Sequence, residues 1–177
     1  VLEFDEMLDL DLAILAVELE IYHHTYTFNG RSELQQKPTA GHDISDGLFL
    51  LFINDPRPSW ERLDNMMARI EQVPQYLQKL LKRLNTPVKR WVDMEQEKIA
   101  GLPELFDTIY NWGQEEKYPH LGRLAEAKEQ AELALLSYGE QLKAMPVTNN
   151  LFIGKEQAAK LIKLRGIDES IDELHGM

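Results

Sequence analysis

Cysteine is absent from the 177 residues, which excludes disulfides, thiolate metal ligands and a thiol nucleophile. Long apolar runs are absent as well. The longest, Leu12–Val17 and Leu48–Ile53, hold six residues each, against roughly 20 for a membrane-spanning helix. No basic segment followed by an apolar stretch and a cleavage site opens the chain, so no signal peptide is read there. The first residue is Val1 and not Met, which fits a chain processed or excised from something longer. Basic residues are scarce: 19 Lys and Arg against 30 Asp and Glu, a net charge of −11. Nucleic acid is a poor partner for such a chain, because its phosphates need neutralising by Lys and Arg.

The charge is uneven. Residues 1–30 hold seven acidic residues and no Lys or Arg, whereas residues 57–90 hold eight basic residues and three acidic ones. The simplest expectation is that the acidic first helix lies near the basic stretch, or that both faces are solvated. A functional anion site is the alternative.

Catalytic signatures are missing too. The chain has no H-E-x-x-H, no G-x-S-x-G elbow, no P-loop and no G-x-G-x-x-G, so the reactions those motifs support have no footing in it. One E-x-x-H is present, Glu20 to His23, with a partial echo in Asp172-x-x-His175. Di-iron bundles need two such pairs and two further glutamates. A single E-x-x-H among 30 acidic residues and five histidines is expected by chance. Metal binding through Glu20 and His23 is the weaker alternative, and no catalytic, cofactor-binding or metal residue is assigned. Trp60 and Trp91 are expected at helix starts, wedging neighbouring helices, and Trp112 at a helix end before Gly113. Met66 and Met67 are expected as core filler.

What the chain does hold is helical periodicity broken by Pro, Gly and Asn. The predicted fold class is all-α, an irregular multi-helix bundle of six to eight helices forming one domain over 1–177. A first helix is predicted from Glu3 to Tyr26, ended by Asn29-Gly30, with Leu8, Leu12, Leu15, Leu19 and Tyr22 at spacings of three and four. A polar loop follows, then a short buried helix over Ile44 to Ile53. Ser59 is the expected N-cap of a helix beginning at Trp60. Its apolar register runs through Trp60, Leu63, Met67, Ile70, Pro74, Leu77, Leu81 and Leu84. Proline interrupts helices unless it stands in the first turn, so a bend and restart are expected at Pro74. The helix from Val88 to Trp112 repeats the device at Pro103, and two bent helices suggest a curved wall. Further helices are predicted over Leu121 to Ala144, with Leu124, Ala131, Leu135, Tyr138 and Leu142 inward, and over Lys155 to Leu164, capped near Gly166. Ser170 and Glu173 have capping-box spacing for a last short helix. A helix so short has little reason to stand alone, and the C-terminus therefore reads as a truncation.

The run "DPRPSWERLDNMMARIEQVPQYLQKLLKRLNTPVKRW" resembles the bacterial domain-of-unknown-function family DUF 885. Arg62, Leu63, Arg69, Ile70, Pro74, Tyr76, Leu77, Leu84 and Pro87 stand where that family has "R-l-x-x-R-[IL]-x-x-[IL]-P-x-[FY]-L…n-L-x-x-P". The opening "DLDLAILAVELE" and the closing "LFIGKEQAAKLIKLRGIDESIDEL" are similar to the family's ends, so the likeness covers nearly the whole chain. It implies the N-terminal helical half of a metallopeptidase-like protein. The half bearing H-E-x-x-P-G-H, and any zinc, would lie outside this chain. It further implies a non-catalytic scaffold that shapes a peptide-substrate cleft. The partner would be the missing half of the same protein, or a second copy in a homo-oligomer. The competing reading is a stand-alone helical bundle for protein interaction.

Overall fold

The computed structural model describes residues 3–176. Among them are seven helices of ten residues or more, two shorter ones and one two-stranded hairpin, an all-α multi-helix bundle. In chain order these are α1 (Phe4–Thr25), β1 (Thr27–Phe28), β2 (Arg31–Ser32), α2 (Glu33–Gln36), α3 (Ala40–Ile53), α4 (Ser59–Arg83), α5 (Lys89–Ala100), α6 (Leu102–Glu115), α7 (Leu121–Ala144), α8 (Lys155–Leu164) and α9 (Ile171–Gly176). No helix among the described residues is long and apolar enough to cross a membrane. The elements group into two compact units. One holds the chain up to Glu33 together with the segment from Asn150 onward, and the other runs from Leu34 to Asn149.

The larger unit contains the hydrophobic core, whose buried residues all fall between Ala40 and Leu142. Its centre is the packing of α4 on α7, with α3, α5 and α6 around them. Leu63, Met66, Met67, Ile70, Val73, Leu77 and Leu80 form the buried face of α4. The expected restart at Pro74 is not observed, since α4 is helical from Ser59 to Arg83 with Pro74 inside it. The apolar seam does continue across it: Ile70 and Leu77 are buried on either side, and Val73, outside the expected register, is buried with them. Tertiary burial on both sides outweighs the loss of one backbone donor. The expectation at Pro103 fares differently. Gly101 separates α5 from α6, and Pro103 sits in the first turn of α6, where its missing N–H costs little.

Two details of α4 depart from the sequence reading. Pro58 is the N-cap and Ser59 is already helical; the Ser59 hydroxyl donates to Glu116 instead, at 2.7 Å. Trp60, expected between helices, is 56% exposed. By contrast α7 matches its expected span, and Leu124, Ala131, Leu135, Tyr138 and Leu142 are all buried. α3 begins at Ala40, earlier than the predicted Ile44.

The smaller unit is built differently. α1 packs on α8. The Tyr22 hydroxyl donates to Gln157 at 3.1 Å, and the Lys160 ammonium lies 5.2 Å from the centre of the Tyr22 ring. Of the residues spaced by three and four along α1, Tyr22 is buried and Leu15 and Leu19 are half-buried, but Leu8 and Leu12 are exposed. After α1 the chain forms a hairpin, with Thr27 paired to Ser32 and Phe28 to Arg31. Asn29 and Gly30 have φ of 53° and 73°. Two consecutive positive φ values are what a two-residue turn between twisted strands requires, and Asn-Gly is the pair that tolerates them. α8 closes with Gly166 at φ 72°, whose N–H donates to Lys163 while that of Ile167 donates to Ile162. That is a Schellman C-cap. The reciprocal Ser170–Glu173 capping box opens α9, at 2.7 and 3.3 Å.

Candidate functional site

The polar chemistry of the larger unit gathers around α3. This helix carries "LFLLF" and no basic residue in its last turn, so the carbonyls at its end are left to other elements. At its start, Glu95 of α5 accepts the Gly41 N–H at 3.0 Å and the Tyr138 hydroxyl at 3.1 Å, and it also accepts the Ala40 N–H. At its end, Arg62 of α4 donates from Nε to the Leu51 carbonyl at 2.9 Å and from Nη2 to the Phe52 carbonyl. Arg69 donates to the Gly47 carbonyl midway. A carboxylate at the N-terminus and a guanidinium at the C-terminus both complement the helix dipole.

Glu95 is 2% exposed. Burial pushes its carboxyl pKa above the ordinary glutamate value; the hydrogen bonds from Gly41, Tyr138 and Ala40 and the Lys98 charge oppose this without cancelling it. Tyr138 is pushed far above its usual value by burial and then by the Glu95 charge. Gly41 makes the arrangement feasible. A Cβ there would lie 2.5 Å from the Lys98 Cβ and 3.3 Å from Glu95 Oε2, so α3 approaches α5 this closely only through a glycine.

A second group of polar side chains adjoins a recess of about 250 Å³ between α3 and α4, lined by Asp43, Arg69, Gln72 and Tyr76 over Ile44, Leu48 and Val73. Asp43 accepts from the Tyr76 hydroxyl and from Thr39, the latter at 2.6 Å. Burial, followed by the bond to Asp43, pushes the Tyr76 pKa up to about 12. Tyr76 therefore stays a neutral donor at physiological pH. The Arg83 charge acts on both Tyr76 and Tyr138, and its buried Nε and Nη2 have no protein acceptor. A wider recess of about 620 Å³ lies among α5, α6 and α7. Its Lys128 is held by Asp107 at 2.8 Å and Glu132 at 3.0 Å.

Chemically, these groups bind and brace. Glu95 lines neither of these two recesses and is committed to the start of α3. Arg62 and Arg69 are committed to α3 carbonyls. Arg62 also stacks on Trp112 at 4.8 Å, with Phe52 edge-on to the same ring. Trp112 thus meets both Arg62 and Phe52, and it lies inside α6, which runs on to Glu115, and not at the helix end expected before Gly113. Trp91 stands in the first turn of α5, with the Lys37 ammonium 5.9 Å from its ring. Met66 and Met67 are core.

The weighed metal pair does not converge on further ligands. Glu20 and His23 are both exposed on α1, and among the described residues no cluster of three or more His, Asp or Glu is placed to hold a metal ion. His42, read as a loop residue, lies in α3 and pairs with Asp46 at 3.2 Å. His120 is the N-cap residue of α7 and meets the Tyr118 ring edge-on. Glu95 was not singled out from the sequence, although a signal existed. It falls between Val92 and Ile99 on the buried face of its helix, at spacings of three and four.

Comparisons with protein-family models, with curated proteins and with solved structures return no match.

Proposed function

We propose that this chain is a helical scaffold that works by docking against further protein, the non-catalytic portion of a metallopeptidase-like protein of the DUF 885 type. The observation that carries the docking role is α1. Its Phe4, Leu12, Val17 and Ile21 are each more than half exposed, an apolar surface that a helix working alone has no reason to keep. The larger unit contributes rigidity. Its polar groups brace α3 between α4 and α5, and its recess beside Asp43 and Tyr76 offers hydrogen-bonding groups over an apolar floor, suited to a peptide-like ligand. The link to DUF 885 rests on the order and spacing of residues from Arg62 to Pro87. Zinc and the general base belong, in this reading, to the H-E-x-x-P-G-H half.

Sequencing the reading frame beyond Met177 tests the assignment. An H-E-x-x-P-G-H segment is expected there, and a stop codon immediately after Met177 overturns it. Independently, the purified chain should hydrolyse no peptide substrate with or without added zinc. Hydrolysis that survives rigorous repurification would overturn the non-catalytic part of the proposal.

A further inference from the structure

α1 carries two apolar stripes where a surface helix needs one. The first, containing Leu15, Leu19 and Tyr22, is the side on which α8 packs. The second is Met7, Leu10, Ile14, Val17 and Ile21. Their spacing is three, four, three, four, and the two stripes lie about 130° apart around the helix. All five residues are 47% to 58% exposed. Alternation of three and four is the a/d seam of a coiled coil, with Met7, Ile14 and Ile21 as a and Leu10 and Val17 as d.

The flanks of this seam have one sign. Asp11 and Glu18 occupy e, Glu6 and Glu20 occupy g, and Ala13 is the remaining g residue. All four acids are exposed. In a coiled coil the e and g side chains face those of the partner and select it by charge. A second copy of α1 would set acid against acid in either orientation, because parallel pairing joins g to e and antiparallel pairing joins like positions. Like charges across an interface suppress that partner.

We propose that the Met7–Ile21 seam of α1 binds an amphipathic partner helix whose apolar stripe is flanked by Lys and Arg. The occupant is a basic helix and not a second copy of this chain. The inference deepens the docking reading by giving the partner's chemistry, and it does not depend on the resemblance to DUF 885. The apolar seam supplies the affinity, and the acids at e and g supply selection and faster encounter.

The test uses the whole 177-residue chain and two synthetic helical peptides of about three heptads. Both carry Ile and Leu at a and d. One has Lys at e and g, the other Glu. Binding is read by fluorescence anisotropy. The Lys peptide is expected to bind at least about ten-fold tighter than the Glu peptide, with the difference shrinking as salt rises. A Leu10→Gln, Ile14→Gln, Val17→Gln variant keeps every charge and good helix formers. It is expected to weaken Lys-peptide binding by about ten-fold or more, with unchanged circular dichroism. Equal binding by variant and parent would reduce the effect to nonspecific attraction and overturn the proposal. So would equal binding of the two peptides. Sedimentation that reveals a dimer of the parent, dissolved in the triple variant, would overturn it in favour of a second copy. Peptidase activity of the same preparation would overturn the scaffold reading while leaving these binding results intact.

Discussion

Glu95 is the residue on which most of the polar core turns. Its oxygens hold the first N–H groups of α3 and the Tyr138 hydroxyl inside a site almost closed to water. Replacing it with leucine leaves the Gly41 N–H and the Tyr138 O–H buried and unpaired. Each such group costs about 1–3 kcal/mol, so Glu95→Leu is expected to lower stability by about 3 kcal/mol in urea denaturation. The charge itself behaves differently. The folded carboxyl has a raised pKa, so the folded chain holds that proton more tightly than the unfolded one. The contribution is full below the unfolded value and is lost as pH rises through the folded value. The parent should therefore lose stability with rising pH in the window just above the ordinary glutamate range. Glu95→Gln keeps an acceptor oxygen and cannot ionise, so that slope should flatten. Urea midpoints across that window check it, and identical slopes in parent and variant would contradict it. The spacing Val92, Glu95, Ile99 places this residue on an inward face. What spacing does not convey is the partner, because the start of α3 reaches Glu95 from 54 residues away.

At the scale of elements, α4 shows how packing overrides local preference. Proline inside a helix costs roughly 3 kcal/mol or more through the lost hydrogen bond and the clash with the preceding turn. The seam of Ile70, Val73 and Leu77 nevertheless holds α4 helical across Pro74. Pro74→Ala restores a donor toward the Ile70 carbonyl, offset in part by the greater freedom of the unfolded chain. A gain of about 1–2 kcal/mol is expected, visible as a raised denaturation midpoint. A loss instead would mean that the packing of α4 on α7 depends on the geometry proline imposes. Glycines discriminate in the same way. Gly41→Ala improves helix propensity yet drives a Cβ to 2.5 Å from the Lys98 Cβ, and overpacking costs about 1–3 kcal/mol. Gly122 lies in α7 with nothing within 4 Å of its added Cβ, so Gly122→Ala should stabilise by about 0.5–1 kcal/mol. Opposite signs for the two variants, measured side by side, are the expected result. The helices themselves were legible because period and caps agree: α7 and α8 fall where Leu spacing and Gly166 place them. The hairpin was signalled only by Asn29-Gly30, which also serves to end helices, and its two-residue strands are too short to alternate. Helical register at Pro74 was legible, whereas continuity was not, because burial on both sides of the proline decides it.

Across the whole molecule the core is distributed unequally. Every residue of the buried cluster belongs to the unit from Leu34 to Asn149, and no residue of α8 or α9 is buried. The amphipathic patterns of α1 and α8 resemble those of the core helices, and this inequality was therefore not legible. A pattern tells which face is apolar, not whether anything covers it. Stability follows buried area and satisfied polar groups, so the two units should open at different free energies. Trypsin provides the measurement. Arg31 stands in the hairpin and Lys155, Lys163 and Arg165 around α8, whereas Arg62 and Arg83 lie in α4, the centre of the larger core. Under native conditions cleavage is expected first near Arg31 and between Lys155 and Arg165. It should leave a persistent fragment that contains the 34–149 unit and keeps its helical circular dichroism. A cut near Arg31 frees α1 from the fragment, so the fragment should lose binding of the Lys-flanked peptide while the intact chain retains it. Loss of the entire chain in one step, with no such fragment at any time, would mean that the two units unfold as one.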